Sequence, residues 1–174
     1  MSFDPLRACL AAAVSLAACS PALNWREIRP EASELTALFP CKPDRFVRTL
    51  ALAGGQVEMH LVSCAVDGVT YAVTHAALGD GARITPALQQ LRDAAAANIG
   101  GEAREPARFE VSGMTPHAGA QRWRIQGRAA DGTAVDQQIG LFHKGLRVYQ
   151  ATVVGPRIDA EAAEVFFGGL KLAS

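Results

Sequence analysis

Two histidines and a glutamate supply the first chemistry that residue spacing allows. Asp67-Gly68 reads as a two-residue hairpin turn between the alternating runs 56–66 and 69–78. In that register Val66 faces Val69, His60 faces His75 on one face of the sheet, and Glu58 sits one pair further along. Two imidazoles and a carboxylate on one face can hold a divalent metal such as zinc. The same face carries Val62, Tyr71 and Val73, so the two rings also read as the polar end of an apolar stripe. No H-E-x-x-H or related ligand motif accompanies them, and the apolar stripe is the simpler reading.

A basic row is the second candidate. Arg122, Arg124 and Arg128 alternate with Trp123 and Ile125 along 119–129. Such a row can dock an anionic lipid head group or an acidic patch on a partner. It can equally be the solvated face of a strand, whose charges discourage edge pairing. Arginine outnumbers lysine 14 to 3, so arginine clusters arise easily from composition, and the solvated face is the reading taken.

A catalytic set does not assemble. There is no G-x-S-x-G elbow, and neither Ser63 nor Ser112 has a recognisable base nearby in sequence. Met114-Thr115-Pro116-His117 reads as a turn with His117 in solvent. Gly79-Asp80-Gly81 lacks the spacing and the lysine of a phosphate-binding loop. The chain is therefore expected to be non-catalytic and to need no cofactor.

The remaining chemistry belongs to cysteine. Residues 1–18 have the form of a targeting segment: Arg7, then an apolar run from Ala8 to Ala18 broken only by Ser15. That run is shorter than the roughly 20 residues a bilayer span needs, but it suits the apolar region of a signal peptide. Leu16-Ala17-Ala18-Cys19 resembles the bacterial lipobox, in which a signal peptidase cuts before a cysteine that receives lipid. The alternative is an ordinary secretory peptide with a cysteine there by chance. Cys9 does not fit the pattern, because Arg7 falls in the stretch before it. The resemblance implies acylation of Cys19 and a protein anchored to the membrane without spanning it. By the sorting rule that goes with it, Ser20 implies the outer membrane, facing the periplasm.

Processing would leave Cys41 and Cys64. The periplasm permits disulfides, so an even pair reads there as a bridge. Strands 45–52 and 56–66, joined at Gly54-Gly55, bring position 64 near 44 or 45. Pro40 and Pro43 can bend Cys41 into reach. Two free thiols are the alternative; a redox role lacks the C-x-x-C spacing, and the four-ligand pattern of a structural zinc site is absent.

These residues need a scaffold, and composition sets its scale. The 174 residues are 49% apolar and 20% charged, with 17 basic and 17 acidic side chains. That suits one domain with a real core and excludes a disordered chain. A zero balance argues against nucleic-acid binding. Removing residues 1–18 takes away Asp4 and Arg7, which leaves 16 of each sign.

The pattern divides the chain into a targeting segment at 1–18, a lipidated cysteine with its tether at 19–33, and a single domain at 34–174. Strands are expected at 34–39, 45–52, 56–66, 69–78, 106–112, 119–129, 134–143 and 146–154, with a short closing strand at 170–172. Asp131-Gly132 and Lys144-Gly145 add two more hairpin turns, and such short links force antiparallel neighbours. One helix is expected from Pro86 to Ile99, with Thr85 as N-cap and Gly100 as its stop. A second runs from Ala160 to Phe167, capped by Asp159. Several strands are apolar on both faces, so helices should cover both sides of the sheet. The fold class expected is α+β, a largely antiparallel sheet with helices packed on its faces.

The order of elements resembles a known fold. Phe39, Pro40 and Pro43 open a turn into hairpin strands and a helix. Further strands follow, ending in Arg147-Val148-Tyr149-Gln150-Ala151-Thr152-Val153-Val154-Gly155. A terminal helix then carries Phe166-Phe167. Over roughly 34–172 this looks like the PsbP-like α/β/α sandwich, and like uncharacterised proteobacterial envelope lipoproteins with a PsbP-like fold. Relatives on that scaffold include an extrinsic photosystem subunit and a binder of the GTPase Ran, so the resemblance implies an accessory or binding role and leaves function open. No functional residue carries over. The expectation is a lipid-anchored periplasmic protein that binds an envelope protein or component through its sheet edge or loops. The alternative is a small-ligand or metal binder using the His60/His75 face.

Overall fold

The computed structural model describes residues 23–173; the targeting segment and Cys19 lie outside the described residues. The fold is α+β. Strands β3 (Asp44–Leu52), β4 (Gly55–Val66), β5 (Val69–Ala77), β6 (Glu102–Arg108), β7 (Gln121–Arg128), β8 (Ala134–Lys144) and β9 (Arg147–Gly155) build one antiparallel sheet in the order β3-β4-β5-β9-β8-β7-β6. A second sheet of three short strands joins β1 (Arg26–Ile28), β2 (Leu35–Phe39) and β10 (Lys171–Leu172), with β2 in the middle. Helix α1 (Ile84–Asn98) covers one face of the large sheet. Helix α2 (Ala160–Gly168) and the small sheet cover the other.

Alternation explains the two cores. On the α1 side, Val57, Ala76, Ile125, Ile139, Leu141 and Val148 meet Ala87, Leu88 and Ala95 of the helix. On the opposite side, Val62, Tyr71, Val73, Phe142, Tyr149 and Val153 meet Phe39 of β2 and Phe166 and Phe167 of α2. Both sets are apolar because both faces are covered, as strands apolar on each side require.

Turn chemistry sets the registers. Asp67 (φ 51°) and Gly68 (φ 75°) form the expected tight turn and pair Val66 with Val69. The preceding turn is Ala53-Gly54, with φ values of 49° and 78°, one residue earlier than the expected Gly54-Gly55. Arg83 is the reason. Its guanidinium donates to the carbonyls of Leu52, Ala53 and Leu78, and it lies so close to Gly55 that a Cβ there would stand 2.7 Å from Nη2. Gly55 therefore serves as the first residue of β4, where the missing side chain admits Arg83.

Three other boundaries differ from expectation. Residues expected as tether fold into the domain: β1 pairs with β2, and Trp25 meets Tyr71 edge-on, so the described domain begins well before residue 34. The strand expected at 106–112 lies at Glu102–Arg108. Pro106 sits at a register break between Arg104 and Ala107, which is how an edge strand accommodates a proline. Phe109 and Val111 then leave the sheet for the core. Helix α1 starts at Ile84 after a single 3-10 turn at Gly81–Arg83, which the Asp80 carboxylate caps by accepting from the Ala82 amide. Thr85 thus lies inside the first turn and is not its cap. Helix α2 starts as expected, with Asp159 accepting from the Ala162 amide at 2.7 Å.

Candidate functional site

The β4–β5 register brings His60 opposite His75, and the rings stack 4.9 Å apart and within 5° of parallel. The stack continues across the sheet. His75 meets Tyr149 of β9 at 5.8 Å, and Tyr149 lies parallel to Phe142 of β8 at 4.9 Å. Four rings on four neighbouring strands form one ladder, running from the half-buried His60 into the core.

Polar partners fix the histidine end. Glu58 Oε1 stands 2.9 Å from His60 Nε2. Arg147 Nη1 donates to His75 Nδ1 at 3.1 Å, so the ring proton of His75 belongs on Nε2. His75 is 1% exposed, and burial, then the Arg147 charge, then His60 lower its pKa to about 4. His75 is therefore a neutral imidazole at neutral pH.

This arrangement brings His60, His75 and Glu58 together, yet not as a chelate. Parallel rings set their nitrogens side by side and do not aim them at one point, while Arg147 places a cation against Nδ1 of His75. Among the described residues no group of three or more His, Cys, Asp or Glu converges as a ligand set.

The arginine row is divided by its partners. Arg122 donates to Glu164 at 2.7 Å and to Gln138 at 2.5 Å, and its guanidinium carbon lies 4.0 Å from the Phe167 ring centroid. Its side chain is only 19% exposed, so it serves to fasten α2 to the sheet. Arg124 stands opposite Arg104 of β6 and pairs with Glu105 at 3.6 Å. Arg128 donates to the Gly132 carbonyl at 2.9 Å. A cavity of about 460 Å³ beside Arg104 and Arg124 is also lined by Glu102, Glu105 and Asp136, so both signs of charge face it. No uniformly basic surface results.

Cys41 and Cys64 are bridged, with Cα atoms 5.9 Å apart. Asp44 pairs with Ser63, which carries Cys64 up beside Pro43 and within reach of Cys41. The bridge pins the β2–β3 link to β4 near its C-terminal end.

Two features escaped the sequence reading. His117, expected in solvent, is half-buried: the Gly119 amide donates to its Nδ1 at 2.9 Å, and its Nε2 faces the Thr85 hydroxyl at 3.1 Å. With Nδ1 accepting, the neutral ring carries its proton on Nε2 and donates it to Thr85, so this pair ties a loop to α1 and does not deprotonate the hydroxyl. Burial, then His143, lowers the His117 pKa.

The second feature is strand β3, an edge that no further described strand pairs with, exposed along Asp44–Ala51. Phe46 is 50% exposed, Val47 53% and Leu50 37%. The signal was present in the residues, since Phe46 and Val47 are apolar on successive positions and cannot both face one core. No protein-family model matches the chain, and no curated protein matches it.

Proposed function

We propose that the chain is a lipid-anchored accessory protein of the bacterial envelope, facing the periplasm from the outer membrane, which binds an envelope component and catalyses nothing. The observation that carries this reading is Leu16-Ala17-Ala18-Cys19, a lipobox-like sequence that closes an apolar run of signal-peptide length. The Cys41–Cys64 bridge supports it, because such bonds persist in oxidising compartments. Charge balance supports it too. With 16 acidic and 16 basic side chains after residue 18, the surface offers little electrostatic attraction to an anionic bilayer, and acyl chains must hold the protein there.

Binding, in this reading, uses the sheet edge or the loops around it. Nucleic acid is not the partner, since a balanced chain has no excess of cations to neutralise phosphates. Labelled palmitate tests the anchor. The wild-type chain should take up label and a Cys19→Ala variant should take up none; label retained by the variant would refute the reading.

A further inference from the structure

We propose that strand β3 is a self-association edge, on which a second copy of the chain adds antiparallel with Val47 at the two-fold axis. The proposal deepens the binding part of the function just given and rests on it only in taking the sheet edge as the binding surface.

Hairpin geometry decides which backbone groups are free. Leu52 and Gly55 flank a two-residue turn and form a hydrogen-bonded pair, so Leu50, Arg48, Phe46 and Asp44 also bond inward to β4. The N–H and C=O groups of Arg45, Val47, Thr49 and Ala51 therefore point outward, along an edge that no described strand covers. A long, flat edge with exposed apolar side chains is a template for strand addition. Three of the five large apolar side chains exposed among the described residues, Phe46, Val47 and Leu50, lie on this one strand.

The occupant follows from the order of side chains. With Val47 on the axis, Arg45 faces Thr49 of the other copy, Phe46 faces Arg48, and Asp44 faces Leu50. On the face shared by Asp44, Phe46, Arg48 and Leu50, each Arg48 then stands over a Phe46 ring. It also lies diagonal to the other copy's Asp44, within reach of a long side chain. No like charges meet directly. Val47 meets Val47 on the opposite face. The strand is thus its own complement, in apolar contact and in charge.

The resulting two-fold is perpendicular to the sheet, so both copies present the same face on the same side. Strand β1 and Leu23 lie on the α2 side of the sheet, which is therefore the same side in both copies. The lipidated Cys19 of each copy, four residues before Leu23, can therefore reach one bilayer.

Sedimentation and cross-linking test this in a Cys9→Ala, Cys19→Ala background, whose only cysteines are the bridged pair. Circular dichroism and intact mass confirm that each variant folds with its bridge. The chain should sediment at twice its monomer mass, Arg48→Asp should sediment as a monomer, and the swapped pair Asp44→Arg, Arg48→Asp should restore the dimer. Under mild oxidation Val47→Cys should form a covalent dimer and Thr49→Cys should not. A monomer throughout, or a dimer indifferent to the charge swap and cross-linked equally from both positions, would overturn the proposal. A chain that is monomeric in this background, with palmitate uptake at Cys19 intact in the wild-type protein, would overturn the edge assignment and leave the anchor standing.

Discussion

Arg147 donates a hydrogen bond to Nδ1 of His75 across 3.1 Å, at a site that leaves His75 only 1% exposed. A cation and a buried imidazole in contact can coexist only while the imidazole is neutral. Burial is the larger cause, and Arg147 adds to it. His75 is thus a structural histidine whose stacking and acceptor roles both depend on its remaining uncharged.

Stability should therefore fall with acid. His75 titrates near 6.5 when unfolded and at about 4 when folded, so between those values the unfolded chain binds the extra proton. The stabilisation is complete above pH 6.5 and is lost as pH falls towards 4. One unit corresponds to 1.36 kcal/mol, so the full loss is about 3 kcal/mol. Urea unfolding at pH 7.5 and pH 4.5 measures it. A His75→Phe variant, which keeps the stacked ring, should lose most of the difference; an unchanged pH slope would show that other groups carry it.

Zinc should not distinguish the wild-type chain from His60→Ala, His75→Ala. The stacked rings present no shared point for a metal, and Arg147 repels one. Isothermal titration of both proteins should give the same uptake. Tight binding lost in the double variant would restore the ligand reading of this face.

Removing the disulfide should cost about 3 kcal/mol, since a bridge over 23 residues restricts the unfolded chain by that much in the loop-entropy treatment. The Cys41→Ala, Cys64→Ala variant should melt roughly 10 °C lower. Reductant should lower the melting temperature of the wild-type chain and leave the variant unaffected.

The arginines should separate in a stability series. Arg122→Ala loses two hydrogen bonds and the contact with Phe167, and should destabilise by about 1–2 kcal/mol through loosening of α2. Arg128→Ala, at an exposed loop carbonyl, should stay within about 0.5 kcal/mol of wild type. Equal losses in thermal melts would contradict the division of roles.

Gly127→Ala should be among the costly single changes. A Cβ there would stand 2.0 Å from the Ile99 carbonyl oxygen, which already accepts from the Arg128 amide at 2.8 Å. Backbone cannot yield as a side-chain tip can, so the end of α1 must move, at a cost of about 3 kcal/mol. Chemical denaturation reads it directly.

Much of this architecture was legible in local patterns. The turn at Asp67-Gly68 and the alternation on either side of it were enough to place His60 opposite His75. Asp159 and the proline-flanked Cys41 likewise announced a cap and a bridge. What escaped depended on partners distant in sequence. Thr85 looks like a cap until Asp80 provides one further upstream. Gly55 looks like a turn residue until Arg83 is seen to need its space. Residues 26–28 lack a period because three residues are too few to show one, and only pairing with β2 makes them a strand. The arginine row looked uniform because Glu164 and Gln138, which claim Arg122, lie 42 and 16 residues away.

The anchor itself is tested most directly by washing envelope membranes. A chain balanced at 16 against 16 charges after residue 18 has little reason to respond to salt, whereas the proposed acyl chains on Cys19 would yield only to detergent. The wild-type protein should stay with the outer-membrane fraction through high salt and leave it in detergent, and the Cys19→Ala variant should not reach that fraction. Release of the wild-type protein by salt, or a variant that fractionates with it, would contradict the account.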